Sequence, residues 1–141
     1  MPNESTSPEN LPPACILIVD DHPNTALTFA RAISQLGSNI EVISANSGKA
    51  ALASINERSI DMLITDMMMP DMNGLELIEA LRSHPVSRPI YTILITAYDV
   101  PGLRESAKRL KVSQMIIKPI RPEALCQIVS KALLELAGPK P

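Results

Sequence analysis

Polar side chains stand at the ends of four apolar segments, and their types suit phosphoryl chemistry. They are Asp20 with Asp21, then Asp66, Thr96 and Lys118. Carboxylates held close together repel one another, and Mg²⁺ relieves this repulsion because it binds one or two carboxylates together with water or phosphate oxygens. The lysine would offset charge on a phosphoryl oxygen, and the threonine would add a hydroxyl donor. With that support one carboxylate could attack phosphorus, so the set indicates a phosphoryl-transfer site.

The elements that must position these groups follow a regular alternation. The predicted strands cover residues 15–20, 40–45, 62–65, 90–96 and 115–118. The first, second and fourth predicted helices cover residues 23–36, 47–57 and 101–110, the third follows Gly74 and the fifth begins at Pro122. In the fifth helix the residues predicted to face inward are Leu125, Ile128, Val129, Ala132 and Leu136. This alternation predicts an α/β fold with a parallel sheet, right-handed crossovers and helices on both faces.

Ligands of open parallel sheets bind outside the carboxyl ends of the strands, which share one edge. A single Asp after a strand is more often a turn residue or a helix cap than a functional group. Four of the five predicted strand ends, however, carry a polar group that this chemistry needs. That agreement favours one functional site over four unrelated turns.

Composition excludes several other classes of function. The chain of 141 residues has 13 Lys+Arg against 15 Asp+Glu, a net charge of −2, and three aromatic residues, so neither a basic face nor a base-stacking surface for nucleic acid is expected. No apolar run approaches the roughly 18 residues that a membrane span requires, and no signal peptide is evident. Cys15 and Cys126 fall in apolar patterns typical of buried thiols in a reducing compartment, which predicts a cytoplasmic protein.

Prolines suggest where the folded body begins and ends. The N-terminal four are Pro2, Pro8, Pro12 and Pro13, and the last two are Pro139 and Pro141. We therefore expect a disordered N-terminal tail over residues 1–13, one domain over 14–137 and a short C-terminal tail over 138–141.

Four stretches of the sequence together resemble the receiver domain of two-component response regulators, particularly single-domain chemotaxis-type regulators. They are ILIVDD at 16–21, LITDMMMPDMNG at 63–74, ILITA at 93–97 and IIKPI at 116–120. The resemblance extends over about residues 14–137. It implies a flavodoxin-like fold with five parallel strands in the order 2-1-3-4-5 and five helices.

The resemblance also implies a role for each carboxylate. Asp66 would be the phospho-acceptor, taking a phosphoryl group from a sensor histidine kinase or a histidine phosphotransfer protein. Asp20, Asp21 and Asp66 would bind Mg²⁺ together with the main-chain carbonyl of Met68. Such a domain is not a conventional enzyme, because it would catalyse only its own phosphorylation and a slow autodephosphorylation.

Further residues would sense the phosphoryl group. By the same resemblance, Lys118 would bind a phosphoryl oxygen through a cis bond to Pro119, and Thr96 would turn toward the phosphoryl group and move the loop behind it. Met115 stands where such domains often have a Tyr or Phe that changes orientation with the threonine. Tyr98 could supply a substitute ring, or it could simply lie half-exposed beside the site.

Met68 and Tyr98 occupy the positions that flank the phosphoryl group in this family. Bulky side chains there would restrict the attacking water, which predicts slow loss of the phosphoryl group. Met68 also stands where haloacid-dehalogenase-like phosphohydrolases carry a second Asp, which argues against turnover of a phosphorylated substrate. The histidines, His22 and His84, are interpreted as surface residues.

The expected output is altered partner binding. The fourth helix, fifth strand and fifth helix would bind a downstream protein or output domain. The cations of this region, which would make a locally basic face, are Arg104, Lys108, Arg109 and Lys111. The same cations could equally be an ordinary solvated face. We expect no direct nucleic-acid binding and a monomer or a weak phosphorylation-dependent dimer. Alternatively, the chain is the N-terminal receiver of a longer protein with a DNA-binding or enzymatic output domain.

Overall fold

The computed structural model describes residues 11–83 and 90–136. The strands are β1 (Ala14–Val19), β2 (Ile40–Ala45), β3 (Met62–Asp66), β4 (Tyr91–Thr96) and β5 (Gln114–Ile117). The helices are α1 (Pro23–Ser34), α2 (Gly48–Glu57), α3 (Gly74–Ser83), α4 (Leu103–Arg109) and α5 (Pro122–Leu136). Most of the expected N-terminal tail, the whole C-terminal tail and His84 lie outside the described residues.

One parallel sheet with strand order β2-β1-β3-β4-β5 forms the centre of the molecule, which confirms the predicted fold. All residues of β1 and β3 are buried, because helices cover both faces of the sheet. This explains why their sequences are continuous apolar runs rather than alternating ones. The bounds of β2 are as predicted, the other four strands differ from the prediction by one residue at one or both ends, and Asp66 is the last residue of β3 rather than the first after it.

Successive side chains of a strand point to opposite faces, so each face of the sheet has its own apolar cluster. Ile16 and Ile64 pack with α1 and α5, whereas Leu17, Leu63 and Leu94 pack with α2, α3 and α4. Burial of large side chains from water on both faces is the main force that holds the strands in this order.

The predicted burial of α5 needs one correction. Leu125, Val129 and Ala132 are buried, but Leu136 is 47% exposed, and Leu133 is buried in its place. Leu133 lies one turn after Val129, so it continues the inward face, whereas Leu136 falls at the last residue of the helix, beyond the edge of the sheet.

The cysteines are both free, Cys15 fully buried and Cys126 only half-buried. Burial raises the pKa of the Cys15 thiol above its ordinary value, and burial has the same effect on the pKa of Cys126. Among the described residues, no helix has the length and the apolar character that crossing a membrane would require.

Candidate functional site

The central strands bring the acidic residues to one edge of the sheet. Val19 of β1 pairs with Thr65 of β3, so the residues that follow them, Asp20 and Asp66, lie side by side at the carboxyl edge of the sheet. Both carboxylates are buried, with Asp20 5% and Asp66 6% exposed. Buried carboxylates are rare unless a cation or hydrogen-bond donors accompany them, so this edge is the chemically distinctive part of the fold.

Asp66 is held from two sides. The Lys118 Nζ lies 2.6 Å from Asp66 Oδ1, and the backbone N–H of Met68 donates to Asp66 Oδ2 at 3.2 Å. Lys118 is fixed at the end of β5, where its backbone N–H donates to the carbonyl of Thr96 and its bond to Pro119 is cis. The structure thus brings the predicted acceptor and the predicted lysine into direct contact.

Asp20, Asp21 and His22 form a second group of polar side chains at this edge. His22 has a 71% exposed side chain, as expected of a surface residue, yet its Nδ1 lies 3.2 Å from Asp20 Oδ1 and 3.2 Å from Asp21 Oδ1. The sequence held a signal for this contact, since Pro23 restricts the backbone of the residue before it.

The carboxylates of this group suit a divalent cation. Asp21 Oδ1 is buried and makes no hydrogen bond within the described part of the chain, although it lies near the His22 ring. A buried carboxylate oxygen without a donor is costly, and a cation would satisfy it. Among the described residues, the ligand atoms that lie within 4.8 Å of one another belong to Asp20, Asp21 and His22, and Asp66 is outside that group. The carboxylates of Asp20 and Asp21 provide oxygen ligands of the kind that Mg²⁺ prefers.

The loop between β3 and α3, residues 67–73, is attached at several points. The carboxylate of Asp71 accepts hydrogen bonds from the backbone N–H groups of Gly48 and Lys49, at 3.1 and 2.9 Å. These donors at the start of α2 hold the pKa of Asp71 below its usual value. Asn73 and Glu76 exchange side-chain to backbone hydrogen bonds of 2.8 Å, which form a reciprocal cap on α3. Sequence reasoning did not identify Asp71 as part of the site's support.

Two glycines allow this loop to pack closely. A Cβ at Gly48 would overlap the side chain of Met72, and a Cβ at Gly74 would lie 2.6 Å from the backbone carbonyl oxygen of Asp66. The backbone N–H of Gly74 also donates to the carbonyl of Met67 at 2.8 Å. The phospho-acceptor candidate is therefore packed directly against the first residue of α3.

Thr96 and the loop that follows it, residues 97–102, are held more loosely. The Thr96 Oγ1 donates to the carbonyl of Tyr98 at 3.1 Å and accepts from its N–H at 3.2 Å. Tyr98 itself is 67% exposed, so most of its ring lies in solvent in this structure. Met115 is half-buried and contacts the apolar cluster beneath α4.

The sequence matches the family profile described as "Response regulator receiver domain" over residues 16–130. The chain therefore belongs to the receiver domains of two-component response regulators, and domains of this family generally bind Mg²⁺ at an acidic pocket. That assignment agrees with the observed strand order and with the acidic edge of the sheet.

Two sensor proteins are similar to the chain in sequence. It is 32% identical over 132 residues to the virulence sensor protein BvgS of Bordetella bronchiseptica and 35% identical over 120 residues to the sensor protein EvgS of Escherichia coli. The matches cover 89% and 85% of the chain, but the chain spans only about a tenth of these relatives, 10% and 9% of their lengths.

Solved structures match over nearly their whole length. The CheY-like receiver domain protein of Methanospirillum hungatei is 26% identical with a TM-score of 0.78, covering 88% of this chain and 96% of that one. A CheY-like receiver domain of Methylobacillus flagellatus is 26% identical with a TM-score of 0.74, covering 85% and 98%. The described fold is thus that of a receiver domain.

Proposed function

We propose that this receiver domain, over residues 14–137, accepts a phosphoryl group on Asp66 from the phosphohistidine of a sensor histidine kinase or a histidine phosphotransfer protein. The observation that carries the proposal is the 2.6 Å contact between the buried Asp66 carboxylate and Lys118 Nζ. The Asp66 carboxylate lies beside Asp20 at the edge where parallel sheets bind ligands.

In the transfer step, a carboxylate oxygen of Asp66 attacks phosphorus as the bond from phosphorus to the histidine nitrogen breaks. The electron pair of the broken bond returns to the imidazole, which takes up a proton, and the product is an aspartyl phosphate. Lys118 moves from the carboxylate to a phosphoryl oxygen and offsets its charge.

Asp20, Asp21, Asp66 and the main-chain carbonyl of Met68 would bind the Mg²⁺. The ion supplies shielding of the negative charge that accumulates on the phosphoryl oxygens during transfer. The buried Oδ1 of Asp21 supports this assignment, because it accepts no hydrogen bond among the described residues and lies beside the carboxylate of Asp20.

Phosphorylation would be communicated through Thr96. Its hydroxyl is bonded to the backbone of Tyr98 in this structure, and rebonding to a phosphoryl oxygen would release the loop 97–102. The adjoining face of α4, β5 and α5 would then bind a downstream protein or an output domain. Its exposed cations are Arg104, Lys108, Arg109 and Lys111. With Met115 in place of an aromatic ring, the response would depend on repacking of a flexible side chain.

A second arrangement has its own support. The relatives BvgS and EvgS are about ten times longer than the matched segment, so a receiver of this kind can be one part of a larger protein. The phosphorylated face would then contact an output domain of the same chain, whether DNA-binding or enzymatic, instead of a separate protein. We place the domain in the cytoplasm in either arrangement, as a monomer or a weak phosphorylation-dependent dimer.

Intact-mass measurement after incubation with acetyl phosphate and Mg²⁺ tests the phospho-acceptor. We expect one added phosphoryl group on the wild-type chain and none on Asp66→Asn. Asp61→Asn is the matched control. Asp61 comes just before the first residue of β3, at the end of the strand remote from Asp66, so this variant should leave phosphorylation unchanged. A folded wild-type protein that gains no phosphoryl group would contradict the proposal, and an adduct that persists in Asp66→Asn would move the site elsewhere.

A further inference from the structure

His22 is fixed beside the acidic edge by its own backbone. It immediately precedes Pro23, the first residue of α1, and has an extended conformation with φ −100° and ψ 103°. Proline disfavours the helical conformation for the residue before it, so this geometry is built into the sequence. The His22 backbone N–H also donates to Asp20 Oδ1 at 2.9 Å. The imidazole therefore lies beside the carboxylates of Asp20 and Asp21, although most of its surface is exposed.

The spacing of the three side chains suits a shared ion. Nδ1 of His22 is hydrogen-bonded to Asp20 Oδ1 at 3.2 Å and lies 3.2 Å from Asp21 Oδ1, and the three groups offer ligand atoms within 4.8 Å of one another. Ligands in adjacent positions around a small divalent ion are about 3 Å apart, because each lies about 2.1 Å from the metal. Asp21 Oδ1, which is buried and accepts no hydrogen bond among the described residues, belongs to the same group.

We infer that His22 contributes an imidazole ligand to the metal site and thereby favours a first-row transition ion, such as Mn²⁺ or Co²⁺, relative to Mg²⁺. This inference rests on the proposed metal site at Asp20, Asp21 and Asp66. Imidazole nitrogen suits transition ions, whereas Mg²⁺ prefers oxygen ligands and retains water. A bound ion would replace the hydrogen bond between Nδ1 and Asp20 Oδ1, so that the lone pair of Nδ1 binds the metal and the ring proton is carried on Nε2, which water can reach because the side chain is 71% exposed.

Metal binding to the chain, expressed without a histidine tag and kept at one fixed pH, tests the inference directly. Titration calorimetry gives the Kd values of Co²⁺ and Mg²⁺, and pulsed electron paramagnetic resonance of bound Mn²⁺ detects a directly coordinated imidazole nitrogen. The variants are His22→Ala and His22→Gln. His84→Ala, which removes the other histidine of the chain, is the matched control.

We expect the nitrogen signal in the wild type and in His84→Ala, and its loss in both His22 variants. The Co²⁺ affinity should fall at least about tenfold in the His22 variants, since even residues outside the first coordination shell contribute that much. The Mg²⁺ affinity should change less than about twofold, because the oxygen ligands remain.

The outcomes separate this inference from the proposed function. Bound Mn²⁺ without a nitrogen signal, or a Co²⁺ affinity that is unchanged in His22→Ala, would overturn the role of His22 and leave the phospho-acceptor untouched. Failure of the wild type to bind any of the three ions would overturn both the metal site and the inference. Parallel loss of Mg²⁺ and Co²⁺ binding in Asp21→Asn would support the shared site.

Discussion

The loops that follow β3 and β4 lie at the same edge of the sheet but are held very differently. The β3 loop, residues 67–73, is joined to the start of α2 by Asp71 and to α3 by the reciprocal cap of Asn73 and Glu76. The β4 loop, residues 97–102, is exposed throughout and is held by the hydrogen bonds between Thr96 and Tyr98 and by the ion pair of Arg104 with Asp99.

This difference divides the site into a preformed part and a movable part. Exposed segments with few packed contacts open at low free-energy cost, whereas segments joined to helices on both sides do not. The β3 loop can thus keep Asp66, the proposed phospho-acceptor, and the carbonyl of Met68 in place before any phosphoryl group arrives. The Thr96 side can exchange one set of hydrogen bonds for another, as a two-state switch requires.

Glycine substitutions should give the largest contrast between the loops. In Gly74→Ala the new Cβ would meet the carbonyl oxygen of Asp66, a backbone atom that cannot turn aside, so we expect a loss of about 2–3 kcal/mol in the free energy of unfolding. In Gly102→Ala the Cβ meets nothing within 4 Å, and the cost is only the strain of φ +85°, about 1 kcal/mol. Urea denaturation measures both values.

The same two variants should also differ in their rates of phosphorylation. Gly74→Ala should also slow phosphorylation by acetyl phosphate several-fold, because it displaces the backbone of Asp66, whereas Gly102→Ala should leave that rate within about twofold. Equal stability losses together with equal rates would remove the distinction between a preformed and a movable loop.

Asp71→Ala should have the next largest effect. It leaves two N–H groups of α2 without their acceptor, so we expect a Tm lower by about 2–4 °C and slower phosphorylation. Asp71→Asn keeps one acceptor oxygen and should recover part of both losses. Asp99→Ala, in the β4 loop, removes only an exposed ion pair and should leave the Tm unchanged within error.

The Asp71 effect has a defined pH dependence. Because its pKa is lower in the folded than in the unfolded protein, its contribution to stability is complete above the unfolded value, about 3.9. The contribution is lost as the pH falls through the lower folded value. The Tm difference between wild type and Asp71→Asn should therefore shrink in strongly acidic buffer, and a difference that stays constant there would contradict the role given to the charge.

Sequence pattern predicts the preformed part of the site better than its supports. The apolar runs of β1, β3 and β5 predict where each strand ends, and with that the positions of Asp20, Asp66 and Lys118 at one edge of the sheet. The contact of Asp71 with Gly48 joins residues 23 apart in the chain, and it depends on where α2 packs. The position of the His22 ring likewise depends on the end of β1, so local pattern alone gives only its backbone conformation.

Thr96→Ala tests the movable loop with a smaller effect on the protein as a whole. The variant loses the hydroxyl that now bonds Tyr98, yet Asp66 and Lys118 keep their contact, so phosphorylation by acetyl phosphate should stay within a few-fold of wild type. Amide chemical shifts of residues 97–102 should change on phosphorylation in the wild type and in Thr96→Ser but not in Thr96→Ala. Loop shifts of wild-type size in Thr96→Ala would show that the hydroxyl does not carry the response.

The smallest expected effect concerns the lifetime of the phosphoryl group. One residue of each loop, Met68 of the β3 loop and Tyr98 of the β4 loop, is predicted to flank that group. Met68 and Tyr98 are 62% and 67% exposed, so each can be replaced with little cost to folding. Met68→Asn and Tyr98→Glu would replace bulky side chains by polar ones that can orient water, and we expect loss of phosphoryl to accelerate about three- to tenfold. Because Met68 lies on the fixed loop, its variant should have the larger effect. Unchanged loss rates in both variants, followed by intact mass after removal of acetyl phosphate, would mean that neither side chain limits access of the attacking water.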